Sequence, residues 1–145
     1  MTNRETILLV EDNPDEAELA RLAFGRIEGD YDLHIVNTGE EAMRVLFAYG
    51  QCEESALGCK PALILLDIDL PRLSGFELLR QLRASADYQH TPVVFLTTSD
   101  ESRDVARGYS LGVNSYLLKP LDFERFTELL QSVSNYWLKY NTRVH

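Results

Sequence analysis

The sequence predicts an α/β fold, a doubly wound five-stranded parallel sheet with helices on both faces, on three observations. Five short apolar runs recur along the 145 residues, at 7–10, 33–36, 63–66, 93–96 and 115–118. Each is continuous instead of alternating, as strands buried on both faces of a parallel sheet are. Amphipathic segments separate them, and β and α alternating at this pitch wind right-handed about one sheet.

The elements follow in order. The first strand, 7–10, runs into Glu11 and Asp12. Asn13-Pro14 then opens a helix. Proline suits a first helical position, and Asp15 and Glu16 bring negative charge to the positive helix end. Ala17, Leu19, Ala20, Ala23, Phe24 and Ile27 mostly fit its apolar stripe. The second strand ends in Val36-Asn37-Thr38, and Thr38-Gly39-Glu40-Glu41 opens the second helix. Residues 50–61 form an irregular loop, long enough to be an insertion. The third helix is expected over 74–83, the fourth over 99–111, and the fifth from about Asp122 onward. Five strands and five helices at this length match the flavodoxin-like order 2-1-3-4-5, in which ligands bind outside the carboxyl ends of the strands.

Bulk composition narrows the function classes. With 45% hydrophobic and 26% charged residues the chain is ordinary globular protein. No apolar run approaches the roughly 18 residues of a membrane span, and the N-terminal apolar segment is cut off by two acids before it could be a signal-peptide core. Cytoplasmic residence is the default expectation. A net charge of −9, with the 14 Lys and Arg scattered, argues against a nucleic-acid partner. Cys52 and Cys59 have no histidines near them in sequence, and reduced loop thiols are their ordinary state in that compartment.

The residues directly after the strands carry the chemistry. Glu11 and Asp12 follow the first, Asp67 and then Asp69 the third, Thr97 the fourth, and Lys119 the fifth. Like charges about 4 Å apart repel by roughly 4 kcal/mol at an effective dielectric near 20, which a divalent cation relieves. Hard carboxylate oxygens suit Mg²⁺, which takes one or two carboxylates together with phosphate oxygens. Lys119 would add a point charge to the same phosphate and Thr97 a hydroxyl donor. A nucleophile, a metal, a cation and a donor are the parts of in-line phosphoryl transfer. Singly, each residue has a commoner explanation: a strand-terminal Asp is more often a cap, and Lys-Pro is usually surface punctuation. The specificity lies in all four standing at the ends of the correct strands.

On L-L-V-E-D-N, L-L-D-I-D-L-P-R-L-S-G, V-V-F-L-T-T-S and Y-L-L-K-P, the sequence resembles the response-regulator receiver domains of two-component signalling over essentially its whole length. The resemblance implies that Asp67 is the phosphoacceptor, taking a phosphoryl group from a kinase phosphohistidine. Asp12 would ligate Mg²⁺ directly, Glu11 through a water, and Asp69 through its backbone carbonyl. Thr97 and Lys119 would contact the phosphoryl group, and Tyr116 stands at the switch aromatic that turns inward behind the hydroxyl. The Lys119-Pro120 bond is cis in many relatives. The chain would be a phosphoacceptor with, at most, intrinsic dephosphorylation, not a turnover enzyme. Glu11 in place of the commoner Asp, Ser74 where an acid often precedes Gly75, and the extra charge of Asp69 depart from the family pattern.

E-D-N-P-D-E, the long loop before the third strand, L-T-T-S-D-E and the aromatic tail give a finer resemblance, to the small regulators paired with bacterial phytochrome histidine kinases. Such a kinase is the implied partner. Only 25 residues follow Pro120, too few for an output domain, so a single receiver domain over 1–145 is expected to signal by contact. Phe123, Phe126, Leu130, Val133, Trp137 and Tyr140 recur at helical spacing. A helix to Tyr140, about 28 Å long, would overhang the sheet and leave Tyr136, Trp137 and Tyr140 partly unburied. Exposed together, they point to a homodimer through the face formed by the fourth helix, fifth strand and fifth helix. Two rivals stand beside this. One is a haloacid-dehalogenase-like phosphatase, whose D-x-D motif Asp67 and Asp69 mimic, although that motif belongs on the first strand. The other is a pseudo-receiver, an interaction module that never takes phosphate.

Overall fold

Every predicted strand forms, and the five are joined in one parallel sheet. In the computed structural model, which describes residues 4–47 and 60–144, the elements are β1 (Glu5–Val10), α1 (Pro14–Phe24), β2 (Tyr31–Val36), α2 (Gly39–Phe47), β3 (Leu63–Leu66), α3 (Gly75–Ala84), β4 (Val93–Thr97), α4 (Ser102–Ser110), β5 (Ser115–Leu118) and α5 (Phe123–Asn135). A π-helical turn, Tyr136–Tyr140, continues α5. The sheet order is β2-β1-β3-β4-β5 with all pairs parallel, the flavodoxin-like order expected. Cys52, Cys59 and most of the 50–61 loop lie outside the described residues.

The strands are apolar on both faces because both faces are covered. Successive side chains point to opposite sides. Leu8, Val10, Ile64, Leu66 and Phe95 pack with Ala42, Leu46, Phe76, Leu79 and Leu82 of α2 and α3. Ile7, Leu9, Leu65, Val94 and Leu96 pack with Ala20, Ala23, Phe126, Leu130 and Val133 of α1 and α5. Full burial of each such aliphatic side chain contributes roughly 1.5–3 kcal/mol. β2 and β5 stand at the two edges and are only partly covered.

Local signals set the helix starts. The Asn13 side chain accepts hydrogen bonds from the N–H of Asp15 and of Glu16, at 2.9 and 3.1 Å, with Pro14 at the first helical position. Ser74 caps α3 through Glu77 N–H at 3.2 Å, which accounts for a serine where an acid is common.

Five elements differ from expectation. β1 and β2 begin two residues early, at Glu5 and Tyr31, because ladder pairing there needs no apolar side chains. α4 begins at Ser102, since Ser99 is tied into a turn by Thr97 and Asp104. α1 buries only the alanine stripe Ala17, Ala20 and Ala23; Leu19 and Leu22 face outward and Ile27 lies past the helix end. The tail differs most. The wider π turn shifts the register after Val133, so that Leu138 enters the core and Trp137 is half-buried, while Tyr136 and Tyr140 stay 54% and 68% exposed. No peptide bond among the described residues is cis, so Lys119–Pro120 is trans.

Candidate functional site

Parallel register brings the strand-end residues together. Val10 lies beside Leu66, Leu66 beside Phe95, and Thr97 beside Leu118, so the next residues of β1, β3 and β5 emerge with Thr97 at one sheet edge. Backbone bonds hold them there, from Asp67 N–H to the Val10 carbonyl at 3.3 Å and from Lys119 N–H to the Thr97 carbonyl at 2.8 Å. Gly75 fixes the depth of Asp67. A β-carbon on it would lie 2.3 Å from the Asp67 carbonyl oxygen and 2.9 Å from Ile68 Cα, so only glycine lets α3 start this close.

Glu11, Asp12 and Asp67 each offer an oxygen, all within 4.8 Å of one another, and form the one such cluster among the described residues. Three hard carboxylate donors fit a divalent cation of the Mg²⁺ type. Asp12 is exposed, whereas Asp67 is buried and Glu11 is only 2% exposed. The Asp69 side chain stays outside this cluster; its N–H donates to Asp67 Oδ1 at 3.1 Å. Partial burial, then the charges of Asp67, Asp104 and Asp12, push the Asp69 carboxyl above its ordinary value, with Lys119 opposing.

Lys119 sits at the floor, its side chain 9% exposed. Its ammonium forms a very short hydrogen bond to Glu11 and approaches Asp67 Oδ2 and Glu16 Oε1, each at 3.4 Å. Burial alone lowers its pKa. The Glu11 bond and the charges of Asp67, Glu11 and Glu16 outweigh that and leave it above the usual lysine value. Burial likewise holds the Glu11 carboxyl above the usual range, more than Lys119 and the Asn13 N–H lower it.

Thr97 is fully buried, and its hydroxyl accepts from Ser99 N–H at 3.3 Å. Tyr116 donates its O–H to the Ser99 carbonyl at 2.7 Å, and its ring meets Phe95 edge-on at 5.9 Å. Ser99 donates its own hydroxyl to Asp104 at 2.7 Å. Ser99 therefore links Thr97, Tyr116 and α4, a junction the sequence pattern did not single out. By sequence Glu16 is a first-turn acid of α1, and no sequence signal points its carboxylate at Lys119. Tyr136, Trp137 and Tyr140 lie on the tail and do not join this site.

An acidic strand-end cluster with a buried lysine, on a sheet of this order, is what defines the response-regulator receivers. The model of the response regulator receiver domain family matches residues 7–131, and the chain belongs to that family. This is a receiver of two-component signalling, and membership displaces the phosphatase alternative. Among relatives, Response regulator Rcp1 of Synechocystis sp. is 36% identical over 135 residues, spanning 93% of this chain and 90% of its own. Probable methanogenesis regulatory protein FilR2 of Methanothrix harundinacea is 38% identical over 135 residues, spanning 93% and 84%. Among solved structures, the phosphorylated cyanobacterial phytochrome response regulator RcpA superposes with a TM-score of 0.87 at 31% identity, over 99% of this chain and 100% of that one. The Mn²⁺-bound form of Rcp1 gives 0.83 at 35%, over 97% and 99%. The chain is thus homologous to cyanobacterial phytochrome response regulators. Among the described residues no helix is long and apolar enough to cross a membrane.

Proposed function

We propose that this receiver accepts a phosphoryl group on Asp67 from a histidine kinase, of the phytochrome type and hence light-regulated, with Mg²⁺ as cofactor. The observation that carries this is the approach of the buried Asp67 carboxylate to both Lys119 and the Glu11–Asp12 pair. Rcp1 and RcpA support the kinase class, and the Mn²⁺-bound Rcp1 supports a divalent metal. In the reaction a bond forms from an Asp67 oxygen to phosphorus as the phosphorus–nitrogen bond of the phosphohistidine breaks. The imidazole leaves with the bonding pair. Asp12 and Asp67 would hold the ion directly, Glu11 through a water, and Asp69 through its backbone carbonyl. The ion supplies charge neutralisation at the transferring oxygens. Lys119 takes a phosphoryl oxygen, and the Thr97 hydroxyl donates to another.

Switching follows from the network at Ser99. Turning the Thr97 hydroxyl toward the phosphoryl group releases its contact with Ser99 N–H, and Ser99 passes the change to Tyr116 and α4. The face this repacks, α4–β5–α5, is the one through which we expect homodimers, and exposed Tyr109, Leu118 and Leu121 support that. Acetyl phosphate with Mg²⁺, followed by intact-mass measurement, tests the core proposal. We expect a gain of about one phosphoryl group, absent in Asp67→Asn. No gain from acetyl phosphate or any kinase would leave an interaction module instead. Phosphotransfer profiling tests the partner, and preference for an unrelated kinase counts against a phytochrome.

A further inference from the structure

We propose that Glu16 is a positioning residue that competes with the phosphoryl group for the Lys119 ammonium and so sets how firmly Asp67 holds that group. This rests on Asp67 being the phosphoacceptor. Three carboxylates surround the ammonium, Glu11 in a very short hydrogen bond and Glu16 and Asp67 at 3.4 Å. Glu11 and Asp67 accept hydrogen bonds from it and Glu16 is held as an ion pair, so three carboxylates draw on one charge. A phosphoryl group on Asp67 replaces that residue's own contact with more strongly charged oxygens, and of the two remaining partners, Glu11 and Glu16, one must loosen.

Burial decides which. The Glu11 side chain is 3% exposed, and its other oxygen already takes the Asn13 N–H at 3.2 Å. Left unpaired there, it would be a buried charge without a partner, which is costly. The Glu16 side chain is 38% exposed, on the first turn of α1. Water replaces the ammonium around it at little cost, as for other exposed pairs. Its backbone N–H is held by Asn13, so the helix stays put while the side chain swings out. Glu16 is therefore the partner released, and its pull is subtracted from the hold on the phosphoryl group.

Beryllium fluoride with Mg²⁺, titrated by calorimetry, reads that hold on the intact chain. Glu16→Gln is expected to lower the Kd about twofold to fivefold, the range that an exposed ion pair spans. Glu16→Asp keeps the charge on a shorter arm and is expected to fall between. Asp15→Asn removes the same charge one residue away, where the side chain makes no contact with Lys119, and is expected to match the wild type. An unchanged or weaker Kd in Glu16→Gln overturns the inference. So does equal tightening in Asp15→Asn, which would be net charge alone. Loss of Mg²⁺ affinity in Glu16→Gln would make Glu16 a metal ligand and also overturns it. Failure of the wild type to bind beryllium fluoride or accept phosphate from acetyl phosphate sinks the phosphoacceptor reading itself, which separates the two.

Discussion

Three residues show how single side chains, or their lack, govern the site. Gly75 holds α3 against the carbonyl of Asp67, and an added methyl would overlap backbone that cannot yield. Gly75→Ala is expected to displace Asp67 and slow phosphorylation by acetyl phosphate roughly tenfold to a hundredfold, since small misplacements of a nucleophile are costly. A mass-resolved time course measures it. Asp69 adds a negative charge beside Asp67 without joining the carboxylate cluster. Asp69→Asn is therefore expected to change the dephosphorylation rate and leave the phosphorylation rate near that of the wild type; an unchanged lifetime refutes this role. Arg83 serves the fold. Its guanidinium donates to the carbonyls of Tyr88, Thr91 and Gly112 and to Asn114 Oδ1, at 2.7–3.0 Å. Arg83→Met strands those acceptors and is expected to cost about 2–4 kcal/mol by urea unfolding, with Arg83→Lys a poor rescue because a point charge cannot span the fork.

At the scale of elements, the tail separates what the sequence made legible from what it did not. The three inner apolar runs and the residues after them were legible because a parallel strand covered on both faces has no choice but continuous apolarity. The site followed from topology, since register alone carries Asp12, Asp67, Thr97 and Lys119 to one edge. Helical spacing failed past Val133, where one extra residue per turn moves Leu138 inward and leaves Trp137 half-covered. Periodicity assumes a constant pitch and carries no sign of a π turn. Side-chain links such as Ser99–Asp104 and Glu16–Lys119 were invisible for a different reason: both are polar residues in ordinary turn positions, and only three dimensions aim them. If the π turn is what seats the tail, Leu138→Ala is expected to cost about 2–4 kcal/mol in chemical unfolding. Trp137→Ala, at a half-buried position, should cost less; the reverse order would mean a plain α-helix.

Across the whole molecule, the site is bought with stability. Glu11, Asp12 and Asp67 converge on one edge, and Lys119 is the cation that answers them there. Glu11 and Asp67 pair with that lysine and Asp12 does not, so it adds repulsion to a chain already at −9. Neutralising it should therefore stabilise the metal-free protein, by about 1 kcal/mol or less given its exposure to solvent. For a chain of this length that is a rise in melting temperature of roughly 2–4 °C. Mg²⁺ reverses the order. Ion binding to the folded state adds RT ln(1 + [L]/Kd), about 2.7 kcal/mol at a hundredfold excess over Kd. Asp12→Asn, with a weaker site, gains less at the same concentration. Melting curves of both proteins with chelator and across a Mg²⁺ series should accordingly cross, the variant melting higher without the ion and lower with it. Parallel curves would show that Asp12 neither strains the fold nor holds the metal.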